Sequence, residues 1–544
     1  MPVDLAATSD TDLAPAAGRA EKGPRLALGI LLLIALLVGV AHALVNYIGP
    51  YGFHRDEFLY FAMGRHLSIW GMDFPPMIAL IAEGTRRLLG DSIVAVRVVP
   101  LLAHALLIVL AGVLAREFGG GRFAQVLAAI CVALSPLFMR ASNLLHPVVL
   151  DQLWWTLALY ALARIGRTAE ERGDVGSVLA WIALGIAGGL GILTKFSIGF
   201  LGVSMLVGLL LAPQRRVLAT IYPWQAAVIA LVIGSPSIVG QIQLKFPIIS
   251  QMQALQAGQL EHVSYFEYMF EQILMFGPMM VLPVLGVIRL LTVPAMRGYR
   301  AVAWTCLAAW ALLLVLHGKA YYVGPIYPTL IAAGAAAVEL GTGVIRGHAV
   351  GRITGNVLKG LLVILILLYG AVVLPMGLPF LGPTYMAQYA ARLGITQATR
   401  TNYGGQLALP QDYADMIGWP EEVAAVARHY KELPPEKQKE AIIIGDSYGH
   451  AGAIDFYGPK LGLPPAVSAN GTYWFFGPGT RPGNVAIVLG DDSASLTRFF
   501  RVVRPVGRMN NPWGVPEEQH ARIFETEQPI KSIQEVWPSL AGQH

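Results

Sequence analysis

The order of residues predicts an α-helical polytopic membrane protein with about eleven transmembrane helices and a C-terminal soluble α/β domain. Three observations carry that prediction. Only 13% of the 544 residues are charged and 55% are hydrophobic, with a mean hydropathy of +0.56, whereas a soluble domain carries about 25% charged residues. Apolar runs of spanning length recur from residue 26 to about 380, and the composition turns polar from 382 to the end. Basic residues are sorted to alternate connections between those runs. Too few charges remain to clothe a water-facing surface, which excludes a cytosolic enzyme, a disordered scaffold and a typical nucleic-acid binder.

A spanning helix needs roughly 20 mainly apolar residues, and such runs begin near 26, 95, 122, 148, 177, 197, 221, 269, 300, 322 and 357. The first follows a polar stretch, 1–25, that contains Asp4, Asp10, Asp12 and Glu21. It is too long and too deep in the chain for a cleaved signal peptide and reads as an uncleaved first helix. Cys131 and Cys306 each lie inside an apolar run, so they read as small buried residues and exclude a disulfide framework. One set of short connections holds fifteen basic residues: Arg19, Lys22, Arg25, Arg116, Arg122, Arg164, Arg167, Arg172, Arg215, Arg216, Arg289, Arg297, Arg300, Arg346 and Arg352. The alternate set holds only Arg140, Lys195, Lys245 and Lys319. Because Lys and Arg are retained on the cytoplasmic side, residues 1–25 are expected inside and, after an odd number of spans, 382–544 outside. The net charge of +5 is therefore read as topological.

Two segments are not expected to cross. Residues 49–92 form a long outer loop, and 58–70 interleave Tyr60, Phe61, Met63, Leu67 and Ile69 with Arg65 and His66, as an interfacial amphipathic helix would. The polar segment 382–544 has strand-like runs at 441–444 and 485–489 with helical stretches between them, the pattern of a small α/β domain. Gly445-Asp446-Ser447-Tyr448-Gly449 and Gly490-Asp491-Asp492 follow those strands, and neither fits G-x-G-x-x-G, which argues against a dinucleotide site. The aromatic run 471–478 suits stacking on a sugar, a small-domain core or a membrane-docking patch equally.

With that topology, every polar cluster that stands out falls at the outer surface. The first outer loop opens with His54-Arg55-Asp56-Glu57 and continues through Gly71-Met72-Asp73-Phe74-Pro75-Pro76. Asp151 sits near the outer mouth of the fourth span, after Asn143, His146 and Pro147. Lys195 ends a very short outer connection, and Lys319 precedes Tyr321 and Tyr322. Singly, a carboxylate at the interface faces water and a lysine snorkels. Jointly, they offer carboxylates to bind or deprotonate one group and cations to hold an anion, as transfer from a phosphate-bearing donor requires. His54, Asp56, Glu57, His146 and Asp151 could also ligate a divalent cation, although no i, i+4 metal motif is present, and the metal stays open. The alternative is a multi-pass lipid or sugar transporter or flippase. Against it, the spans show no internal repeat and the ionisable residues gather at one face, away from the midplane.

The strings Arg55-Asp56-Glu57-Phe58-Leu59-Tyr60, Asp73-Phe74-Pro75-Pro76, Asp151, Leu193-Thr194-Lys195 and Gly318-Lys319-Ala320-Tyr321-Tyr322 resemble, in that order, the family 39 membrane glycosyltransferases. These are relatives of the protein O-mannosyltransferases and the aminoarabinose lipid A transferases, and the likeness runs over roughly 45–380. Gly418-Trp419-Pro420-Glu421-Glu422 and the stretch 448–459 are similar to bacterial members. The resemblance implies a GT-C fold for 26–381 and a polyprenyl-phosphate-linked sugar as donor. The acceptor it implies is a lipid A-like lipid, a cell-envelope glycan or a protein. It places the inverting transfer at the outer face of a bacterial inner membrane, with 382–544 as a periplasmic domain. By the same resemblance Asp56 is the general base or acceptor-orienting carboxylate, Glu57 stands beside it, and Asp151 is a second acidic group. Lys195 and Lys319 neutralise the departing lipid phosphate, and Tyr321 or Tyr322 donates hydrogen bonds to it. His54, Arg55, Tyr60, Asp73, Pro75 and Pro76 position the loop or the acceptor. A phosphate leaving group gains charge as the glycosidic bond breaks, so a preplaced cation favours the transition state over the ground state. The family has members that work with and without a metal. Gly240 stands where an aromatic residue is expected, and 382–544 lack a carbohydrate-binding signature, which weighs against a protein acceptor.

Overall fold

A backbone in lipid must satisfy its own hydrogen bonds, so long apolar runs become helices. The computed structural model describes residues 24–345, 349–394, 396–490 and 493–541. Residues 1–23, Arg346 and the Asp491-Asp492 pair lie outside the described residues. Among the described residues eight helices are long and apolar enough to cross a membrane: Leu28–Ile48, Val98–Glu117, Pro147–Arg172, Tyr222–Gln243, Tyr265–Thr292, Pro294–Val315, Ala320–Gly341 and Ile353–Gly377. Two helix pairs pass the same test but are bent, Arg122–Leu134 with Pro136–Ser142 at 60° and Ile198–Leu211 with Pro213–Ala219 at 117°. Val178–Thr194 is a shorter apolar helix. Each run expected from the sequence thus has its helical counterpart, in order. Both bends fall just before a proline, whose ring holds Ser135 and Ala212 in extended backbone.

The shared core joins Leu107, Cys131, Trp155, Cys306 and Ala332 from five of these segments, and both cysteines are free and buried. Leu36 and Leu37 on the first helix, and Ile364 and Leu368 on the last, stay uncovered by protein, as lipid-facing positions do.

The segment 58–70 departs from expectation. Its helix, Arg55–Arg65, buries Phe58, Tyr60, Phe61 and Met63; Phe58 and Phe61 meet Phe456 of the C-terminal segment, where Phe58 also meets Trp419, and Tyr60 meets Phe74. The cause is a glycine contact on the helix Tyr448–Tyr457: a Cβ on Gly449 would stand 2.5 Å from Arg55 Cγ, and one on Gly452 2.7 Å from Phe58 Cβ. The apolar face of Arg55–Arg65 is thus covered by protein, while Ile69 and Trp70 beyond it stay exposed. Gly240 is likewise fixed by close approach, since a Cβ there would lie 2.4 Å from the Met72 carbonyl oxygen. An aromatic side chain has no room at that position.

The C-terminal segment carries a five-stranded sheet of β1 (Ile442–Gly445), β2 (Ala466–Val467), β3 (Val485–Gly490), β4 (Phe500–Arg508) and β5 (Arg522–Pro529), in the order β2-β1-β3-β5-β4. β1 pairs in parallel with β2 and β3, and β5 runs antiparallel to β3 and β4. β1 and β3 are the two runs legible from residue pattern; β3 is buried along its whole length. Of the aromatic run 471–478, Tyr473 is core and Trp474, Phe475 and Phe476 are half-buried. Tyr473 donates to Asp455 at 3.0 Å, Trp474 and Trp537 exchange indole N–H to carbonyl bonds, and Phe476 stacks on His66.

Candidate active site

The site begins with a helix cap. The His54 ring accepts the Asp56 N–H at Nδ1 (3.1 Å), and Glu57 Oε2 accepts the His54 N–H (2.7 Å), so the first turn fixes three side chains at once. The other ring nitrogen, Nε2, faces Asp415 Oδ2 at 3.7 Å.

The adjacent carboxylates then part. Glu57 is fully buried and receives four donors. Arg97 grips it in bidentate fashion at 2.8 and 2.7 Å, and the N–H groups of Leu145 and His54 supply one bond to each oxygen. Arg97 also donates to Asn46 Oδ1 and the Gly52 carbonyl. Through Arg97, Glu57 therefore ties the first long helix to the 49–92 loop and to the start of the helix Pro147–Arg172. With both oxygens saturated it offers nothing to a substrate proton, so the geometry gives it a bracing role beside Asp56.

Asp56 is a quarter exposed. Its Oδ1 accepts the Tyr448 hydroxyl at 2.8 Å, while Oδ2 lies 3.5 Å from His146 Nε2 and 3.9 Å from His54 Nδ1. His146 Nδ1 accepts the Val148 N–H, capping the helix Pro147–Arg172, which leaves its Nε2 to donate toward Asp56. Burial alone would push the Asp56 carboxyl up. His146, His54 and Arg55 outweigh it and hold the group well below the usual carboxylate range. Tyr448 moves the other way, its hydroxyl pushed up by burial and by the Asp56 charge. Tyr60 meets the His146 ring edge-on at 5.9 Å. Arg55 lies 3.6 Å from Asp415 and over the Tyr448 ring.

A second group faces this one. Asp151 Oδ2 accepts the Ser197 hydroxyl at 2.8 Å, and Oδ1 is buried without a hydrogen-bond partner among the described residues. Lys195 Nζ stands 4.9 Å from the Tyr322 ring centre and 5.8 Å from that of Tyr321. Burial pushes the Lys195 ammonium down, and Asp151 counters it. Lys319 Nζ donates to Gln259 Oε1 and Asn402 Oδ1, both at 2.6 Å. Burial, with Lys195 adding to it and Asp412 and Asp56 opposing, pushes Lys319 down to about 8. Asp412 is taken up by Arg140. Among the described residues neither lysine forms a carboxylate ion pair; amide oxygens and ring faces hold them.

The structure thus gathers His54, Arg55, Asp56, Tyr60, Asp151, Lys195, Lys319, Tyr321 and Tyr322 at one end of the helices. Asp73, Pro75 and Pro76 flank Phe74, whose ring meets that of Tyr60 at 6.4 Å. Buried Asp73 accepts from Thr472 Oγ1 at 2.8 Å and Gln251 Nε2 at 3.1 Å, and its carbonyl accepts from Gln241 at 2.6 Å. It pins the 49–92 loop to the C-terminal segment, while the buried prolines lead into the helix Met77–Leu89. Residue pattern missed Tyr448, Arg97, Asp412 and Asp415; Tyr448 meets Asp56 across 392 positions of chain, and nothing local signals that contact.

Residues 73–239 match the family model described as dolichyl-phosphate-mannose-protein mannosyltransferase, a span that includes His146, Asp151 and Lys195 and stops short of Asp56 and Lys319. Among solved structures the chain is similar to ArnT from Cupriavidus metallidurans bound to undecaprenyl phosphate, with a TM-score of 0.57 and 14% identity over 92% of this chain and 98% of that one. Against the apo state of the same protein the TM-score is 0.56, with 15% identity over 95% and 99%. No curated protein sequence matches the chain. The fold is similar to that of ArnT over nearly the whole length of both chains.

Proposed function

We propose, from the ArnT fold and a part-exposed carboxylate set against two lysines, that this chain is a membrane glycosyltransferase. It moves a sugar from a polyprenyl-phosphate-linked donor to an acceptor at the outer face of a bacterial inner membrane. The observation that carries the reading is the pairing pattern: Asp56 retains an oxygen facing only histidines, and among the described residues no carboxylate pairs with Lys195 or Lys319, which leaves both for an anion. ArnT in complex with undecaprenyl phosphate supports the donor class.

An acceptor hydroxyl attacks the anomeric carbon from the face opposite the phosphate. The new C–O bond forms as the bond to the phosphate oxygen breaks, the configuration inverts, and the hydroxyl proton passes to Asp56. Its depressed pKa keeps Asp56 ionised, and Tyr448 and His146 hold its oxygens in place. The leaving polyprenyl phosphate gains one negative charge, which Lys195 and Lys319 meet without reorganising, with Tyr321 and Tyr322 as hydroxyl donors beside them. Asp151 orients Lys195 through charge and is itself fixed by Ser197.

Mass spectrometry of envelope lipids and glycans tests this in a deletion strain complemented with wild type or Asp56→Asn. Loss of one defined sugar mass, restored by wild type alone, is the expected result. An unchanged envelope with accumulated polyprenyl lipid overturns the reading in favour of lipid transport.

A further inference from the structure

Away from Asp56, three side chains meet inside the C-terminal segment. Glu422 comes from the helix Trp419–Glu432, His450 from Tyr448–Tyr457 and Glu518 from Pro516–Gln519, and each is at most 2% exposed. Their ligand atoms all lie within 4.8 Å of one another. His450 Nε2 is 2.6 Å from Glu518 Oε2 and 3.7 Å from Glu422 Oε2, and Nδ1 is 2.5 Å from Asp446 Oδ1. Among the described residues neither oxygen of Glu422 has a hydrogen-bond partner.

A buried carboxylate without a hydrogen bond is costly. The single Nε2 proton of His450 can be donated to Glu518 or to Glu422 but not to both, and at 2.6 Å it goes to Glu518. We infer that Glu422, His450 and Glu518 bind a divalent transition-metal ion, with Asp446 anchoring the imidazole from behind. Two carboxylates and a neutral imidazole balance a charge of +2. One nitrogen with two oxygens suits zinc-like ions better than Ca²⁺ or Mg²⁺, which prefer oxygen alone. An ion about 2.0–2.2 Å from each ligand places neighbouring ligand atoms about 3.3 Å apart. The 3.7 Å contact is near that value, and the 2.6 Å contact lengthens when the ion replaces the proton. The Asp446 contact to Nδ1 is the outer carboxylate that metal-binding histidines commonly have. The ion clips three helices together, and the middle one begins at Tyr448, the hydroxyl that holds Asp56. Trp419 links the two places, packing on both His450 and Phe58.

The inference does not rest on the transfer reading, and its test reads no activity. The full chain in detergent is stripped with a chelator, reloaded with Zn²⁺, desalted, and assayed for metal content and thermal unfolding. Wild type and Asp56→Asn should each retain about one equivalent and unfold at higher temperature when loaded; Glu422→Gln and Glu518→Gln should retain less than about a tenth of it. No retention and no thermal shift in wild type overturns the inference, as does full retention by Glu422→Gln or loss in Asp56→Asn. If the Gln variants fail to fold, X-ray absorption on loaded wild type decides. A shell with one imidazole and carboxylate oxygens upholds the site, and a shell without imidazole overturns it.

Discussion

The two ends of the helix Pro147–Arg172 treat charge in opposite ways. Toward its C-terminus, Arg167 bonds Glu117 at 2.7 Å, Arg164 lies 3.7 Å from the same carboxylate, and Arg297 reaches Glu170 at 3.3 Å. Toward its N-terminus, Lys195 lies over tyrosine rings and Lys319 on amide oxygens, while Asp56 is held by histidines and a phenol. Both ends are built from similar residue types at helix termini. The difference teaches that charge count alone does not separate the two ends: carboxylates hold Arg164, Arg167 and Arg297, whereas among the described residues none holds Lys195 or Lys319.

The hardest test of that contrast is Asp56→Asn. Loss of a positioned general base should lower transfer by about 10²–10⁴-fold, and replacing a part-exposed carboxylate by an amide should change stability by less than about 1 kcal/mol. A sugar-transfer assay beside thermal unfolding checks both, and full activity would break the base assignment. Its neighbour should behave inversely. Glu57→Gln leaves Arg97 buried and uncompensated, so it should destabilise the fold by about 3–5 kcal/mol. Denaturant unfolding in detergent measures that loss, and a near-neutral Glu57→Gln would erase the distinction between brace and base.

That split within one dipeptide shows where residue pattern stops being informative. The apolar runs, the sorting of arginines and the strands at 442–445 and 485–490 were legible because hydropathy and alternation are local. Asp56 and Glu57 look alike in sequence, yet successive helical residues project about 100° apart, and only the fold decides which meets Arg97. The apolar face of 58–70 was legible as a face to be covered, but amphipathicity does not name the cover. Gly449 and Gly452 supply it from almost 400 residues away, together with Tyr448.

The lysines sharpen the comparison further. Lys319→Ala should lower turnover by about 10²-fold through lost stabilisation of the leaving phosphate, with the effect in kcat more than in acceptor KM. If acceptor KM alone moved, the donor-side role would be wrong. Because burial holds Lys319 down to about 8, the required cation is lost as pH rises through that value. Turnover should fall about tenfold per pH unit beyond it. Lys319→Arg should move that limb upward, since a guanidinium does not titrate there. The depressed Asp56 carboxyl puts the acid limb below the usual carboxylate range.

The opposite end supplies the smallest effect. Arg167→Ala removes a partner of Glu117 that is one-third exposed, and ion pairs of that kind contribute about 0–1 kcal/mol. Arg164 stays near the same carboxylate, and Tyr299 still donates to it, so Glu117 is not left alone. Thermal unfolding should therefore shift little and transfer should be unchanged. A large loss of transfer in Arg167→Ala, matched to that of Lys319→Ala, would mean that charge at the two ends is coupled along the helix, and pairing would no longer separate structural cations from working ones.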